Sequence, residues 1–220
     1  MSSDEVITEE EADALMDGVA SGEVDAAAPV TAAPGEVIPY DITGQDRIER
    51  GRLPVLDVIN ERFAGYLREG LYTILQQVAD VSVGGLKTVR FGDYVHGLDV
   101  PVSLNLARID PLPGTALFVF DNRLVYTIVD LFFGGYGEQD EAGEGRELTT
   151  IENRVVLLVL EQVFSDMKRA WDSVLSLECT YLKSESNPQF ASIASSKEPL
   201  VVSSFQVNLE KCSGELQICM

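Results

Sequence analysis

The sequence predicts a mixed α/β (α+β) fold, a three-layer α/β/α domain of two related halves around a largely antiparallel sheet. The first observation is that a long helix followed by strand-like segments occurs twice within residues 40–220. The second is that Pro101 and Gly114 in the first half recur as Pro199 and Gly214, almost the same distance apart. Each half alone is too small to bury its long helix. We therefore expect one continuous sheet whose halves are related by a pseudo-two-fold axis.

The first half opens with a long helix from Pro54 to Val78, because apolar residues recur there at helical spacing and proline fits a first helical turn. Strand-like segments follow at 81–91, 102–109 and 115–121. The last two are joined by a turn at 111–114. A loop is expected from Gly92 to Pro101, with His96, the only histidine, at the surface.

A short apolar helix then starts at Asp121 or Asn122 and ends in a cluster of glycines around one tyrosine: Gly134, Gly135, Tyr136 and Gly137. One glycine is enough to end a helix, since it reaches the left-handed conformation without steric cost. Three within four residues indicate backbone exposed for a partner to approach. A plain helix cap followed by a loop is the alternative.

Phosphate binding is excluded as a use of these glycines. A phosphate-binding loop follows a strand, opens a helix and brings a basic residue. This cluster follows a helix and leads into an acidic stretch, Glu138, Asp140, Glu141 and Glu144. The acidic stretch is predicted to be a surface loop.

The second half opens with a helix from Thr149 to Trp171, whose start carries Glu152 in the position that completes a capping box. Residues 155–160 are apolar all round, which indicates burial on several sides. Strand-like segments follow at 177–185, 200–209 and 215–219. The second copy stops at Met220 without a counterpart of the short helix, so we expect the chain to be a fragment.

The N-terminal arm has a different composition. Residues 1–19 contain a short amphipathic helix that starts with a capping box of Thr8 and Glu11. Residues 20–39 are rich in Ala, Pro and Gly, which is typical of a disordered tether. Three helical turns are not stable alone in water. The arm is therefore interpreted as a docking peptide, with packing of the helix onto residues 40–220 as the alternative.

Charge and composition exclude several classes of function. The net charge is −20, and residues 1–39 hold ten acidic and no basic residues, which disfavours nucleic acid and anionic lipid. The arm suits a basic protein partner or acts as a solubilising tail. No apolar run is long enough to insert into a membrane. A single histidine and three cysteines without metal-ligand spacing predict no metal or cofactor, and the cysteines are expected to be buried cytosolic thiols.

Several long strings of residues resemble the FliM family of flagellar motor switch proteins. They include Tyr40-Asp41-Ile42-Thr43, Arg50-Gly51-Arg52-Leu53-Pro54, Phe132-Phe133-Gly134-Gly135 and Ser186-Asn187-Pro188-Gln189-Phe190-Ala191. The resemblance covers almost all of 40–220, the family's middle domain. It implies a non-catalytic component of the motor switch complex that controls rotation direction in chemotaxis. Such a protein is cytoplasmic, lies peripherally at the inner membrane in the basal body, and packs against neighbouring copies of itself.

The resemblance also implies binding sites. It assigns the GGxG motif, here Gly134, Gly135, Tyr136 and Gly137, to contact with the rotor protein FliG. It assigns the N-terminal helix to phosphorylated CheY, through Ile7, Thr8, Glu11, Asp13, Ala14, Leu15 and Met16. Ala12 replaces an isoleucine of the family pattern, which removes about 2 kcal/mol of apolar burial if that position is an anchor. The family's C-terminal domain, through which it binds FliN, is absent from these 220 residues.

An enzyme is the alternative, because the same fold resembles CheC-type phosphatases that act on the phosphorylated response regulator. Those enzymes carry an acid or serine, then Glu, then Asn on their long helices. Asp57 and Glu61 reproduce the first two, but Ala64 stands where the amide is needed to orient water. On the second long helix, Glu161 is followed by Phe164 at that place. Asp57 and Glu61 are accordingly expected to be a solvated helix face.

Overall fold

The computed structural model describes residues 53–98, 100, 102–137, 146–191 and 193–220. The predicted docking helix 1–19, the tether 20–39 and most of the acidic stretch lie outside the described residues. The helices are α1 (Pro54–Leu75), α2 (Phe91–His96), α3 (Asn122–Phe132) and α4 (Thr150–Trp171), with a 3₁₀ turn at Pro188–Phe190. The strands are β1 (Asp80–Arg90), β2 (Ser103–Asp110), β3 (Ala116–Phe120), β4 (Glu178–Glu185), β5 (Pro199–Asn208) and β6 (Ser213–Cys219).

The six strands form one antiparallel sheet in the order β1-β5-β6-β3-β2-β4. Exchanging the first three strands for the last three gives the same order read from the other edge. The pseudo-two-fold axis therefore passes between β3 and β6, and the predicted single sheet is confirmed. Each half contributes an edge strand that pairs with the other half. β1 of the first half pairs with β5 of the second, and β4 of the second half pairs with β2 of the first. Both edge strands contain a bulge, near Gly84 in β1 and near Leu182 in β4.

Apolar side chains fill both faces of the sheet. The larger core packs α1, α3 and α4 on one face, where Phe63 meets Phe205 edge-to-face with ring centroids 4.9 Å apart. On the other face a smaller core joins Phe91 of α2 to Leu104 and Leu200. The three predicted layers are thus present, although in the described part of the chain the second helical layer consists only of α2 and the 3₁₀ turn. No helix among the described residues is both long enough and apolar enough for a membrane span.

Local chemistry explains where the helices start. Pro54 occupies the first turn of α1, as predicted. Asp121 caps α3 by accepting a hydrogen bond from the Arg123 backbone N–H at 3.2 Å. Thr149 and Glu152 form the predicted capping box at the start of α4.

Three expectations were wrong. The first helix ends at Leu75 and not at Val78, because Gln76 adopts the left-handed conformation with φ 52°, and Val78 is exposed. The predicted loop from Gly92 to Pro101 begins with α2, since Phe91 is buried and anchors a helical turn against the smaller core. His96 lies at the end of that helix and is exposed, as expected.

The third error concerns the cysteines. Cys212 and Cys219 are buried as expected, but Cys179 is only half-buried because β4 is an edge strand. Burial nevertheless raises the pKa of the Cys179 thiol to about 11 and that of Cys219 to about 12. Both thiols are therefore protonated and unreactive at neutral pH.

Candidate protein-binding site

The four residues of the predicted GGxG motif lie together in one turn after α3, here called the glycine turn (residues 134–137). Phe133 is the C-cap residue of α3. Gly134 follows it with φ 85°, in the left-handed region. The Gly134 N–H donates to the Leu131 carbonyl at 3.0 Å, and the Gly135 N–H donates to the Asp130 carbonyl at 2.8 Å. These two bonds constitute a Schellman motif, so Gly134 ends the helix.

The Asp130 side chain organises the rest of the glycine turn. Its carboxylate accepts a hydrogen bond from the Gly137 N–H at 2.8 Å. A Cβ atom added at Gly135 would overlap this same carboxyl group. Gly137 has φ 72°, a conformation that L side chains rarely adopt. Each glycine is thus required by the geometry of the turn itself.

The glycine turn presents its aromatic residue to solvent. Tyr136 is 78% exposed, and the adjoining Phe133 is 64% exposed. The Lys211 ammonium, from the hairpin between β5 and β6, lies 5.6 Å from the centre of the Tyr136 ring. A Cβ added at Gly134 would meet nothing within 4 Å, so the backbone there faces open space.

An apolar groove of about 530 Å³ adjoins the glycine turn. It lies between the end of α3 and the first two turns of α4, and its lining is Phe132, Phe133, Thr150, Ile151, Asn153, Arg154, Val155, Leu157 and Leu158. The Phe132 and Phe133 rings meet edge-to-face at 5.5 Å, and Ile151 is 65% exposed on the opposite wall. Exposed apolar surface of this kind marks a protein-binding site more often than a catalytic one.

An ion pair between the exposed Arg146 and the nearly buried Glu152 links the two walls of this groove. The Arg146 guanidinium binds both oxygens of Glu152, at 2.5 and 2.9 Å, and lies 5.0 Å from the centre of the Tyr126 ring. The Tyr126 hydroxyl donates to the Arg146 carbonyl at 3.0 Å. Because Tyr126 belongs to α3 and Glu152 to α4, Arg146 ties the helices together where the chain returns from the acidic stretch.

The same ion pair explains the acidity of Glu152. Hydrogen bonds from Arg146, with further bonds from Thr149, hold the pKa of Glu152 at about 2, well below its ordinary value. Glu152 is therefore ionised across the whole physiological range, and its charge lies in the first turn of α4, where the helix dipole favours an anion.

Sequence reasoning missed Asp130, Arg146 and the groove. Two signals were available. An acidic residue is unfavourable in the last turn of a helix, where the helix dipole is negative. Asp130 therefore indicates a nearby hydrogen-bond donor that compensates its charge. Arg146 is a single basic residue within the acidic stretch 138–147. The groove required tertiary structure, because its two walls are about twenty residues apart in the chain.

The residues of the phosphatase alternative do not form a site. Asp57 and Glu61 are exposed on α1, while Ala64 is buried in the larger core. On α4, Phe164 is turned inward and meets Phe118 edge-to-face at 5.1 Å. Neither helix brings an amide to the position that would orient an attacking water. Among the described residues, no three His, Cys, Asp or Glu side chains are grouped to hold a metal ion. The residues predicted to bind CheY lie outside the described part.

Comparison with solved structures identifies the class of domain. The fold matches the FliM middle domain of Vibrio alginolyticus with a TM-score of 0.69 and 42% identity, covering 76% of this chain and 93% of that one. The FliM of a FliG–FliM complex from H. pylori has the same fold, with a TM-score of 0.72 at 20% identity over 77% of this chain and 93% of that one. The described part is therefore a middle domain of the flagellar switch type.

Sequence comparison gives the family. The profile of the flagellar motor switch protein FliM matches residues 49–220. The FliM of Pseudomonas aeruginosa is 49% identical over 220 residues, which are 100% of this chain and 67% of that protein. The chain belongs to the FliM family, as its motifs predicted, and spans about two thirds of the length of this relative.

Proposed function

We propose that this chain is a non-catalytic component of the flagellar motor switch and that it binds a FliG-type rotor protein through the glycine turn and the apolar groove. The observation that carries the proposal is the exposed pair Phe133 and Tyr136: Phe133 lines the groove, and Tyr136 lies in the glycine turn that follows Phe133. Exposed aromatic anchors beside an apolar pocket are the usual centre of a protein interface. The FliG–FliM complex from H. pylori shares this fold, which supports the assignment.

The surroundings of the site favour a partner with an apolar, partly basic surface. Phe132, Phe133 and Ile151 offer aromatic and aliphatic contacts on both walls of the groove. The stretch that follows Gly137 contains Glu138, Asp140, Glu141 and Glu144. Negative charge next to an apolar contact speeds the encounter with a basic partner and makes binding depend on salt.

We further propose that the arm performs the signalling step. Residues 1–19 dock on a phosphorylated CheY-type regulator, and residues 20–39 tether that helix to a body formed by 40–220. Capture raises the local concentration of regulator near the body. A change of rotation sense requires that the regulator bind one state of the switch more tightly than the other. Packing against neighbouring copies, binding of a FliN-type protein and a place at the basal body stay predictions from the family.

One binding experiment tests both sites. The purified chain is compared with the double variant Phe133→Ala/Tyr136→Ala, with a deletion of residues 1–39, and with Tyr72→Ala. Tyr72 is a half-exposed aromatic residue on α1 and serves as the matched control. Each protein is immobilised, and binding of a FliG-type protein and of a phosphorylated CheY-type regulator is measured by interferometry.

The variants are expected to affect binding of the two partners independently. The double variant weakens FliG binding about 30-fold or more, as hot-spot aromatics do, and keeps regulator binding. The deletion has the opposite effect, and Tyr72→Ala changes neither. Unchanged FliG binding by a folded double variant would refute the assignment of the glycine turn, and regulator binding without residues 1–39 would refute that of the arm.

A further inference from the structure

We infer that Asp130 is the positioning residue of the glycine turn, and that position 135 is glycine to make room for Asp130 and not for the partner. The inference rests on the proposed function and deepens it. It separates the residues that touch the partner, Phe133 and Tyr136, from those that only shape the turn. The motif is then one unit of eight residues, from Asp130 to Gly137.

Asp130 holds the chain on both sides of Tyr136. Its backbone carbonyl accepts from the Gly135 N–H at 2.8 Å, and its carboxylate accepts from the Gly137 N–H at 2.8 Å. Tyr136 is therefore clamped between two residues that are each bonded to the same aspartate. These hydrogen bonds fix the backbone on both sides of Tyr136 and so the direction of its Cα–Cβ bond, while the side chain itself is 78% exposed.

The Asp130 carboxylate lies at the end of α3 where a negative charge is unfavourable, so another interaction must compensate for it. The last turn of a helix carries partial negative charge, which disfavours an acidic residue. No basic residue lies in the last turn of α3. The hydrogen bond to the Gly137 N–H is the compensation, and it also satisfies a donor in a residue that is buried. Asp130 thus stabilises the turn that follows the helix at the expense of the helix itself.

Gly135 differs from its two neighbours in a way that can be tested. Gly134 and Gly137 have positive φ, but Gly135 does not, so alanine fits its backbone conformation. The three heavy atoms nearest to an added Cβ atom all belong to the carboxyl group of Asp130. Alanine at 135 must displace this carboxyl group and break its bond to Gly137. A direct contact between partner and Gly135 would make alanine harmful whether or not Asp130 is present.

A double-mutant cycle distinguishes these cases. FliG binding is measured for the full chain and for Gly135→Ala, Asp130→Ala, the double variant and Asp130→Asn, with thermal unfolding as a check of the fold. Gly135→Ala and Asp130→Ala are each expected to weaken binding about tenfold, equivalent to about 1.4 kcal/mol. The double variant is expected to bind like either single variant, since both break the same bond. Asp130→Asn keeps an acceptor for the Gly137 N–H and is expected to bind within about threefold of wild type.

A measurement without partner keeps the inference separate from the proposed function. Amide hydrogen exchange of Gly137, followed by NMR, is expected to accelerate in Asp130→Ala and in Gly135→Ala and to stay slow in Asp130→Asn. Equal exchange in all variants, or binding losses that multiply in the double variant, would overturn the role of Asp130. If the wild-type chain binds no FliG-type protein, the proposed function fails, and the exchange data alone decide the inference.

Discussion

Glu152 shows how one side chain can serve a helix and a site together. It closes the capping box of α4 by accepting from the Thr149 N–H at 2.7 Å, and it holds Arg146 against Tyr126. Its capping role was predicted from the Thr149-x-x-Glu152 pattern, because both partners are local in sequence. Its ion pair with Arg146 was not predicted, because no local sequence pattern places Arg146 against Glu152.

Glu152 is expected to make stability depend on pH. Its pKa is lowered from an ordinary 4.5 to about 2 in the folded protein. Its stabilisation is therefore complete above about pH 4.5 and is lost as the pH falls through about 2. Glu152→Gln keeps a capping side chain but removes the charge, and it is expected to lower the free energy of unfolding by about 2 kcal/mol at pH 7.

Urea unfolding of wild type and Glu152→Gln at pH 7 and at pH 3 checks this expectation. The difference between the two proteins should be smaller at pH 3 than at pH 7. A difference that stays the same at the two pH values, or that grows toward acid, would contradict a stabilising charge on Glu152. Arg154→Gln is the control, because Arg154 is exposed on the same helix.

At the scale of elements, the contact between α1 and α4 depends on one glycine and one buried carboxylate. Asp166 is fully buried, and its Oδ1 accepts from Gln162 at 3.1 Å and from Arg169 at 3.4 Å. Its Oδ2 has no hydrogen-bond partner in the described part of the chain. Burial raises the pKa of Asp166, which shows that the ionised form is poorly solvated there. Gly70 of α1 provides the space that Asp166 and Gln162 fill.

Two glycines of α1 are therefore expected to respond in opposite directions to alanine. At Gly65 an added Cβ meets nothing within 4 Å, so alanine should stabilise the protein by about 1 kcal/mol through helix propensity. At Gly70 it overlaps Asp166 and lies 2.7 Å from Gln162 Cγ, so alanine should destabilise by about 1–3 kcal/mol. Equilibrium unfolding in urea measures both. Equal effects at the two positions would contradict the close helix contact.

The helices α1, α3 and α4 were predicted from their apolar periodicity or clear caps, and all six strands from their strand-like composition. The errors came where tertiary contacts override local preference. α2 is only six residues long, and Phe91 holds it by packing under the sheet. The end of α1 depends on the left-handed Gln76, a residue without the usual glycine signal.

At the scale of the whole molecule, the two halves are interlocked. Of the described strands, only β5 of the second half lies beside β1, and only β2 of the first half lies beside β4. The repeat of helix and strands allowed one sheet with pseudo-two-fold symmetry to be predicted. The exchange of edge strands was not predictable from the pattern, because any strand of either half satisfies the same alternation of apolar residues.

Interlocking predicts the behaviour of a divided chain. Residues 40–137 and 146–220, produced separately, should each lack a cooperative unfolding transition, since each keeps only one strand pair. Produced together, they should associate and unfold cooperatively. Circular dichroism melts and copurification measure this, with the intact chain as reference. A cooperative melt of either piece alone would show that the halves fold independently.

The exchange of edge strands also affects how the chain is made. During translation β1 emerges early, but β5, its neighbour among the described strands, begins at Pro199, more than a hundred residues after Asp80. At about 5–20 residues per second, the nascent chain carries an unpaired β1 for roughly 6–24 s. Gly84 and Gly85, where the bulge forms once β5 is paired, and the charge of Lys87 make the unpaired strand a poor template for joining another chain. The features that blunt this edge in the finished domain therefore matter most on the ribosome, before the domain exists.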